Sequence, residues 1–168
     1  MSVIVPPHPS TPLSRIDLEK LYPPFLEKVR VMLAALESSG ASYFAVSGFR
    51  SYPEQEVLYN HGRKTPGAIV TQAHAGESPH NFGLAVDFTR DGYLDRAGLQ
   101  PDFRPERYSE LGLAAATHGL EWGGKWRWPD RPHIQWPGFV TSWQLEPLRQ
   151  AYEKAGLAAV WTYLDTYP

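Results

Sequence analysis

The chain has 168 residues, enough for one hydrophobic core of ordinary size. Hydrophobic residues make up 42% and charged residues 20%, a globular composition that excludes a disordered chain. A formal net charge of -2 leaves no basic field for nucleic acid or anionic membrane, and the absence of cysteine excludes disulfides, thiolate metal sites and cysteine nucleophiles.

The first residues, MSVIVPPHPSTPLSR, lack a basic region followed by a long apolar stretch, so no secretory signal is expected. No window approaches 18 uninterrupted apolar residues, so no membrane-spanning helix is expected either. Residues 1–13 are Pro-rich and predict an extended arm. Ser14 and Asp17 have the pattern of a helix N-cap, with a short helix to about Leu21. From Pro24 to about Ser38, Phe25, Val29, Met32, Leu33 and Leu36 recur at helical spacing, and Gly40 ends the run. Residues Ser42 to Ser47 predict a strand.

Ser51 caps a predicted helix that starts at Pro53, has Glu54 at the capping-box position and ends near Gly62. Residues 63–79 read as a long loop with a short strand at Ile69–Thr71; loops of this length in compact domains are usually functional. Leu84 to Thr89 predicts a strand, residues 90–104 a loop, and Pro105 the start of a helix through about His118, closed by Gly119. Trp122 to Pro129 reads as a Gly- and Trp-rich turn, and Pro132 to Trp136 as a strand. Ser142 caps a predicted C-terminal helix over about 142–155, stopped by Gly156, with the last dozen residues docking on the body. Helices that precede and interrupt a few short strands predict an antiparallel α+β fold.

Three stretches carry candidate chemistry. ESPHNFGLAVDF, Glu77 to Phe88, sets Asp87 in an otherwise apolar strand seven residues after His80. An ionised carboxylate is rarely buried without a partner, so Asp87 either sits at an exposed strand end or faces a cation. Seven residues of straight strand span about 23 Å at roughly 3.3 Å each, so His80 and Asp87 can share a metal only if the chain bends. Asn81, Phe82 and Gly83 can supply that bend. WPDRPHIQW, Trp128 to Trp136, adds Asp130 three residues before His133. Two histidines and two aspartates suit a nitrogen-and-oxygen zinc site, in which three ligands leave a position for water and a fourth acid serves as base. In SGFRSYPEQ, Ser47 to Gln55, Arg50 lies between a strand and a helix. It is either a surface cation or a fixed guanidinium aimed at a carbonyl oxygen or carboxylate.

Ser78-x-His80-x-x-Gly83-x-Ala85-x-Asp87, then Asp130-x-x-His133, with Gly48-Phe49-Arg50-Ser51-x-x-x-Gln55 upstream, resembles the LAS group of zinc metallopeptidases. The segment Gly119 to Trp136 is especially similar to its VanY-type branch, which includes bacterial and phage L-alanyl-D-glutamate endopeptidases. The resemblance covers about residues 45–137. It implies a small central antiparallel sheet flanked by helices, of the Hedgehog and D-Ala-D-Ala-peptidase type, in a single peptidase domain over residues 1–168 with its motif-bearing core at about 42–137. It implies one zinc per chain held by His80, Asp87 and His133, with Asp130 as acid/base, Arg50 at the substrate carbonyl, and Ser78 and Gln55 in hydrogen bonds to substrate or to the site. Many members carry Glu where this chain has Asp130.

Glu121 is a rival base, or a residue that orients a ligand. His74 is a candidate substrate contact, whereas His8, His61 and His118 are not expected as ligands. Trp122 and Trp136 are read as packing, while Trp126 and Trp128 are read equally as packing or as a wall for a sugar–peptide polymer. The resemblance implies a monomeric lysin that cleaves peptidoglycan stem peptides between L-Ala and D-Glu, without nucleic-acid or membrane partners. It would accumulate in the cytoplasm and leave by holin-type release if phage-derived. The alternatives are a D-alanyl-D-alanine carboxypeptidase or dipeptidase, and a non-catalytic zinc-stabilised wall-binding module.

Overall fold

The computed structural model describes residues 11–92 and 97–166. Most of the predicted arm lies outside them. Leu13 is already buried, and the Pro12 carbonyl accepts from Ala45 N, which ties this segment to the sheet. The first helical signal forms a single 3-10 turn, Leu18–Lys20, with Asp17 as its N-cap. Helix α1, Pro23–Ser38, buries the predicted face of Phe25, Val29, Met32, Leu33 and Leu36.

Strand β1, Phe44–Ser47, leads through a short loop into α2, Tyr52–Asn60. The Ser51 side chain accepts from Glu54 N and the Glu54 carboxylate accepts from Ser51 N, the capping box that the sequence predicts. A long loop follows. Ile69–Thr71 forms no strand there, because Ile69 and Val70 are exposed and have no core to face. A 3-10 turn, Pro79–Phe82, ends at Gly83 in the left-handed conformation (φ 71°, ψ 25°). A Cβ at Gly83 would run into the Lys20 carbonyl, so both the turn and the close approach demand glycine.

Strand β2 spans Ala85–Asp91, and two-residue β3, Pro101–Asp102, pairs with its far end. The helix predicted from Pro105 is split: a 3-10 turn, Pro105–Arg107, precedes α3, Ser109–Thr117. Within the Trp-rich segment lies β4, Glu121–Trp122, then a 3-10 turn, Gly123–Lys125, and β5, His133–Gln135. Helix α4, Glu146–Thr166, starts later than predicted and continues past it, with non-helical backbone at Ala155 and Gly156. Gly156 therefore breaks the helix without ending it. The second half is retained because Val160 and Leu164 reach the core.

The sheet is antiparallel, ordered β1-β2-β5-β4, with β3 beside β2. Alternation along β2 and β5 sends Val86, Phe88 and Ile134, all fully buried, into the core with α1, α3 and α4. Truncating such a side chain to Ala typically costs about 3–5 kcal/mol for Phe. The other face of the same strands carries Asp87 and His133. Asp87 is the Cα partner of Ser47 on β1 and of His133 on β5. The predicted α+β fold, a small antiparallel sheet flanked by helices, is the fold observed.

Candidate metal centre

Asp87 stands at the middle of three strands, so its carboxylate is anchored from both sides. His133 Nδ1 lies 3.2 Å from Asp87 Oδ1, and His80 Nε2 lies 3.3 Å from the same oxygen. The bend that brings His80 back is the 3-10 turn closed by Gly83. One donor atom from each of His80, Asp87 and His133 falls within 4.8 Å of the others, and the two histidines are buried. Four ligands at zinc distances of about 2.0–2.1 Å stand about 3.3 Å apart in a tetrahedron. The two contacts to Asp87 Oδ1 match that spacing.

Hydrogen-bond polarity makes the same point. His80 Nδ1 lies 2.7 Å from the Gly48 carbonyl oxygen, which can only accept. Nδ1 therefore carries the proton, and a neutral His80 directs the lone pair of Nε2 at the Asp87 carboxylate. Two electron-rich atoms face each other at that distance only with a proton or a cation between them. Without a cation there, protons on the imidazoles must take its place: burial alone would raise the Asp87 carboxyl, but the charge of a protonated His80 and the hydrogen bond from a protonated His133 outweigh it and hold the group well below the usual carboxylate range. Burial would lower His133, yet the Asp87 hydrogen bond and charge raise it. A cation in the middle satisfies all three groups.

Asp130 is not among these three donors. It is exposed at the mouth of the site, on the turn before β5. Desolvation by the surrounding protein pushes its carboxyl up; the charge of Asp87 adds to this, and His133, His80 and Arg50 oppose it. The turn is fixed by Asp130 N donating to Gly123 O at 3.0 Å, and a Cβ at Gly123 would meet the Asp130 carbonyl oxygen at 2.6 Å.

Arg50 is held as a fixed guanidinium rather than a free surface cation. It donates to Gln55 Oε1 at 2.9 Å and to Ser47 Oγ at 3.0 Å, and its NH2 group lies 3.8 Å from Asp87 Oδ2. Burial lowers its pKa from the usual value, against the charges of Asp87, Glu54 and Asp130. Gln55 is fully buried and donates its amide to the Ala73 carbonyl at 2.8 Å, so it holds Arg50 against the long loop and is closed to substrate. Asn81, which the motif passes over, joins the halves of the site. It donates to the Arg50 carbonyl at 2.8 Å and accepts from Gly76 N at 3.0 Å, while Arg50 N donates to the His80 carbonyl at 3.0 Å. Ser78 is buried as the residue that opens the His80 turn.

Glu121 accepts from Trp126 Nε1 at 2.8 Å and from Gln135 Nε2 at 3.4 Å, on the side of His133 away from Asp87. Trp126 lies with its ring 5.0 Å from that of His133 and walls the site. Trp128 is 80% exposed, with Arg127 over its ring. Trp122 and Trp136 pack on the core. His74 pairs with Glu56 and stacks on Tyr59, while His61 and His118 contact the carbonyls of Ala68 and Ala114. Gln135 was missed from sequence. Its signal is the strand period, which puts residues 133 and 135 on one face. A groove of about 580 Å³, lined by Ile16, Ser47, Phe49, Arg50, Glu54 and Val57, adjoins the centre at Arg50.

A family model for D-alanyl-D-alanine carboxypeptidase, in the M15 peptidases, matches residues 71–136, which include the three donors and Asp130. The chain is 38% identical over 123 residues to the peptidoglycan L-alanyl-D-glutamate endopeptidase CwlK of Bacillus subtilis, covering 68% of this chain and 72% of the relative. Among solved structures, the L-Ala D-Glu endopeptidase ChiX of Serratia marcescens aligns with a TM-score of 0.51 at 23% identity, over 71% of this chain and 82% of that one. A vancomycin-resistance D,D-pentapeptidase, VanY, solved in complex with Zn(II), aligns with a TM-score of 0.50 at 18% identity, over 82% and 81%. These structures share the fold, and the identity to CwlK extends over most of both sequences: the chain belongs to the M15 family of peptidases.

Proposed function

We propose that the protein is a zinc peptidase that cleaves the stem peptide of bacterial peptidoglycan between L-Ala and D-Glu, with one zinc held by His80, Asp87 and His133. The observation that carries this reading is the convergence of two imidazole nitrogens and one carboxylate oxygen within 4.8 Å of one another, beside a fourth acid that is not part of the donor set. A site closed for purely structural purposes fills its fourth position with a ligand. The 38% identity to CwlK supports the bond chosen.

When bound, zinc supplies Lewis acidity toward the scissile carbonyl and lowers the pKa of water at the site. The protein's own groups do the rest. Asp130, exposed at the mouth, accepts a proton from the attacking water and hands it to the departing amine. Desolvation raises its carboxyl above the ordinary Asp value, which makes it a stronger base than a fully solvated aspartate. Arg50, fixed by Gln55 and Ser47, presents its positive charge to the carbonyl oxygen as negative charge develops there. The groove beside Arg50 receives the peptide, and Trp126 shields the His133 ring from water.

Mass spectrometry of defined muropeptides tests this, with zinc-loaded protein and an Asp130→Asn control that retains its zinc. Zinc-dependent cleavage between L-Ala and D-Glu, lost in the control, is the expected result. Release of terminal D-Ala, the activity in the matching family's description, would reassign the bond. Stoichiometric zinc with no cleavage of any stem would leave a binding module.

A further inference from the structure

Gln135 lies two residues beyond His133 on β5, so both side chains leave the same face of the strand. It is fully buried, and both ends of its amide are engaged. Its Oε1 lies 2.9 Å from His133 Nε2, and its Nε2 donates to Glu121 Oε2 at 3.4 Å. Glu121 is its Cα partner across β4 and β5. The other Glu121 oxygen accepts from Trp126 Nε1, and the Trp126 ring returns to lie against the His133 ring. Four side chains thus form a closed circuit around one imidazole.

Donor and acceptor chemistry gives the circuit a direction. A carboxylate offers acceptors only. Glu121 therefore takes the amide NH2 of Gln135, which turns Oε1 toward His133. That oxygen requires a proton on His133 Nε2. A neutral imidazole carries one N–H, so Nδ1 keeps its lone pair, and Nδ1 is the atom beside Asp87. We propose that Glu121 and Gln135 are positioning residues that set the tautomer of His133, through the polarity of this chain, so that Nδ1 is its metal-binding atom. The proposal rests on the zinc reading above.

The device is needed at His133 and not at His80. The partner of His80 Nδ1 is the Gly48 backbone carbonyl, which cannot reverse its polarity. A glutamine amide can rotate and exchange its O and N with little change of shape. With the amide reversed, NH2 would face His133 Nε2, the imidazole proton would move to Nδ1, and the ligand position would be blocked. Glu121 removes that alternative, and the Trp126 hydrogen bond holds Glu121 in place.

Long-range 1H–15N correlation on histidine-labelled protein reads the tautomer directly. In the zinc-loaded wild type, the expected result is a proton on His133 Nε2 and none on Nδ1, whose resonance is shifted from its zinc-free position. Gln135→Met removes the acceptor while keeping length and burial, and Glu121→Gln lets the amide reverse. Each is expected to give mixed tautomers at His133 but not at His80, and to weaken zinc binding by about 10–100-fold with the circular dichroism spectrum unchanged. The exchanged pair, Glu121→Gln with Gln135→Glu, restores an acceptor-only group facing His133 with a donor behind it, and is expected to recover the Nε2-protonated tautomer and most of the zinc affinity. A merely structural pair would not be rescued by the exchange. If zinc leaves the wild-type His133 nitrogens unmoved, the zinc reading fails and takes this proposal with it. If zinc shifts Nδ1 but neither single variant changes tautomer or affinity, this proposal alone is overturned.

Discussion

Asp87 and His133 are directly opposed across β2 and β5, and that register, rather than either residue's place in the sequence, sets Nδ1 of the histidine 3.2 Å from the carboxylate. With Ser47 opposed on the other side, Asp87 cannot retreat from the site without unpairing the sheet. Asp87→Ala is therefore expected to leave two imidazoles in a folded scaffold without their shared anion. Zinc affinity should fall by more than about 100-fold, measured by competition with a chromophoric chelator. Chelation of the wild type should lower its stability by about 2.7 kcal/mol relative to protein in zinc at one hundred times its Kd. Zinc affinity should also fall as pH drops, because protons compete for the imidazole lone pairs. A Tm indifferent to chelator would remove the metal from the account.

Gly83, with φ of 71°, closes the 3-10 turn two residues before β2 begins at Ala85. Gly83→Ala adds the cost of a left-handed alanine, about 1 kcal/mol, to that of a collision with the Lys20 backbone carbonyl. The turn also carries His80, so the strain falls on the candidate metal centre. Urea unfolding is expected to show a loss of about 2–4 kcal/mol, and zinc affinity should weaken in parallel. Lost stability with intact zinc affinity would mean that the turn adjusts without moving His80.

These two sites were not equally visible before the fold. The bend at Gly83 follows once the family resemblance has His80 and Asp87 share a metal, since seven residues of straight strand are too long for them to meet. The apolar Leu84–Phe88 run and the Ser51–Glu54 box likewise gave β2 and α2. Strands β3 and β4 have two residues each, too few to show a period, and their pairing comes from partners far along the chain. The role of Glu121 was open in the sequence because it depends on register with Gln135, and a glutamine next to an apolar residue in a strand looks like an outward-facing position. Gly156 carries a helix-stop signal that the docking of Val160 and Leu164 overrides. The distinction between Gln55 as a substrate contact and Gln55 as a support for Arg50 needed the buried contact with Ala73.

Tyr22, Tyr52 and Tyr108 each titrate at about 12 instead of 10.0, chiefly because burial disfavours the phenolate; the hydrogen bond to Asp165 adds to this at Tyr22. In the unfolded chain they lose their protons near 10. Between these values the folded state holds more protons than the unfolded state, so stability falls as pH rises. The fold is expected to be insensitive to these groups below about pH 10 and to be lost between about pH 10 and 12, with phenolate absorbance rising together with loss of the circular dichroism signal. Tyr108→Phe should delay that alkaline transition while costing about 1 kcal/mol at neutral pH for the lost hydrogen bond to the Phe88 carbonyl. Phenolates that appear near 10 in a protein still folded would contradict the burial argument.

Gln55 supports Arg50 and touches none of the three candidate metal donors. Its amide oxygen accepts from Arg50 and its amide nitrogen donates to the Ala73 carbonyl, both within 2.9 Å, in full burial. Gln55→Leu keeps the volume but leaves both partners unsatisfied, at about 1–3 kcal/mol of stability. Arg50 retains Ser47 and the field of Asp87, so it stays in the site but loses its fixed orientation. A catalytic group misplaced by about 1 Å can cost on the order of 100-fold in rate. On a defined muropeptide, kcat/KM is expected to fall about 10–100-fold, while zinc affinity is unchanged because no metal donor contacts Gln55. Arg50→Lys should produce a comparable loss, since an ammonium cannot span Gln55, Ser47 and a substrate oxygen in the fixed plane of a guanidinium. Equal losses of zinc affinity and turnover in Gln55→Leu would show that the residue supports the metal site itself. An unchanged kcat/KM in both variants would remove Arg50 from the reaction.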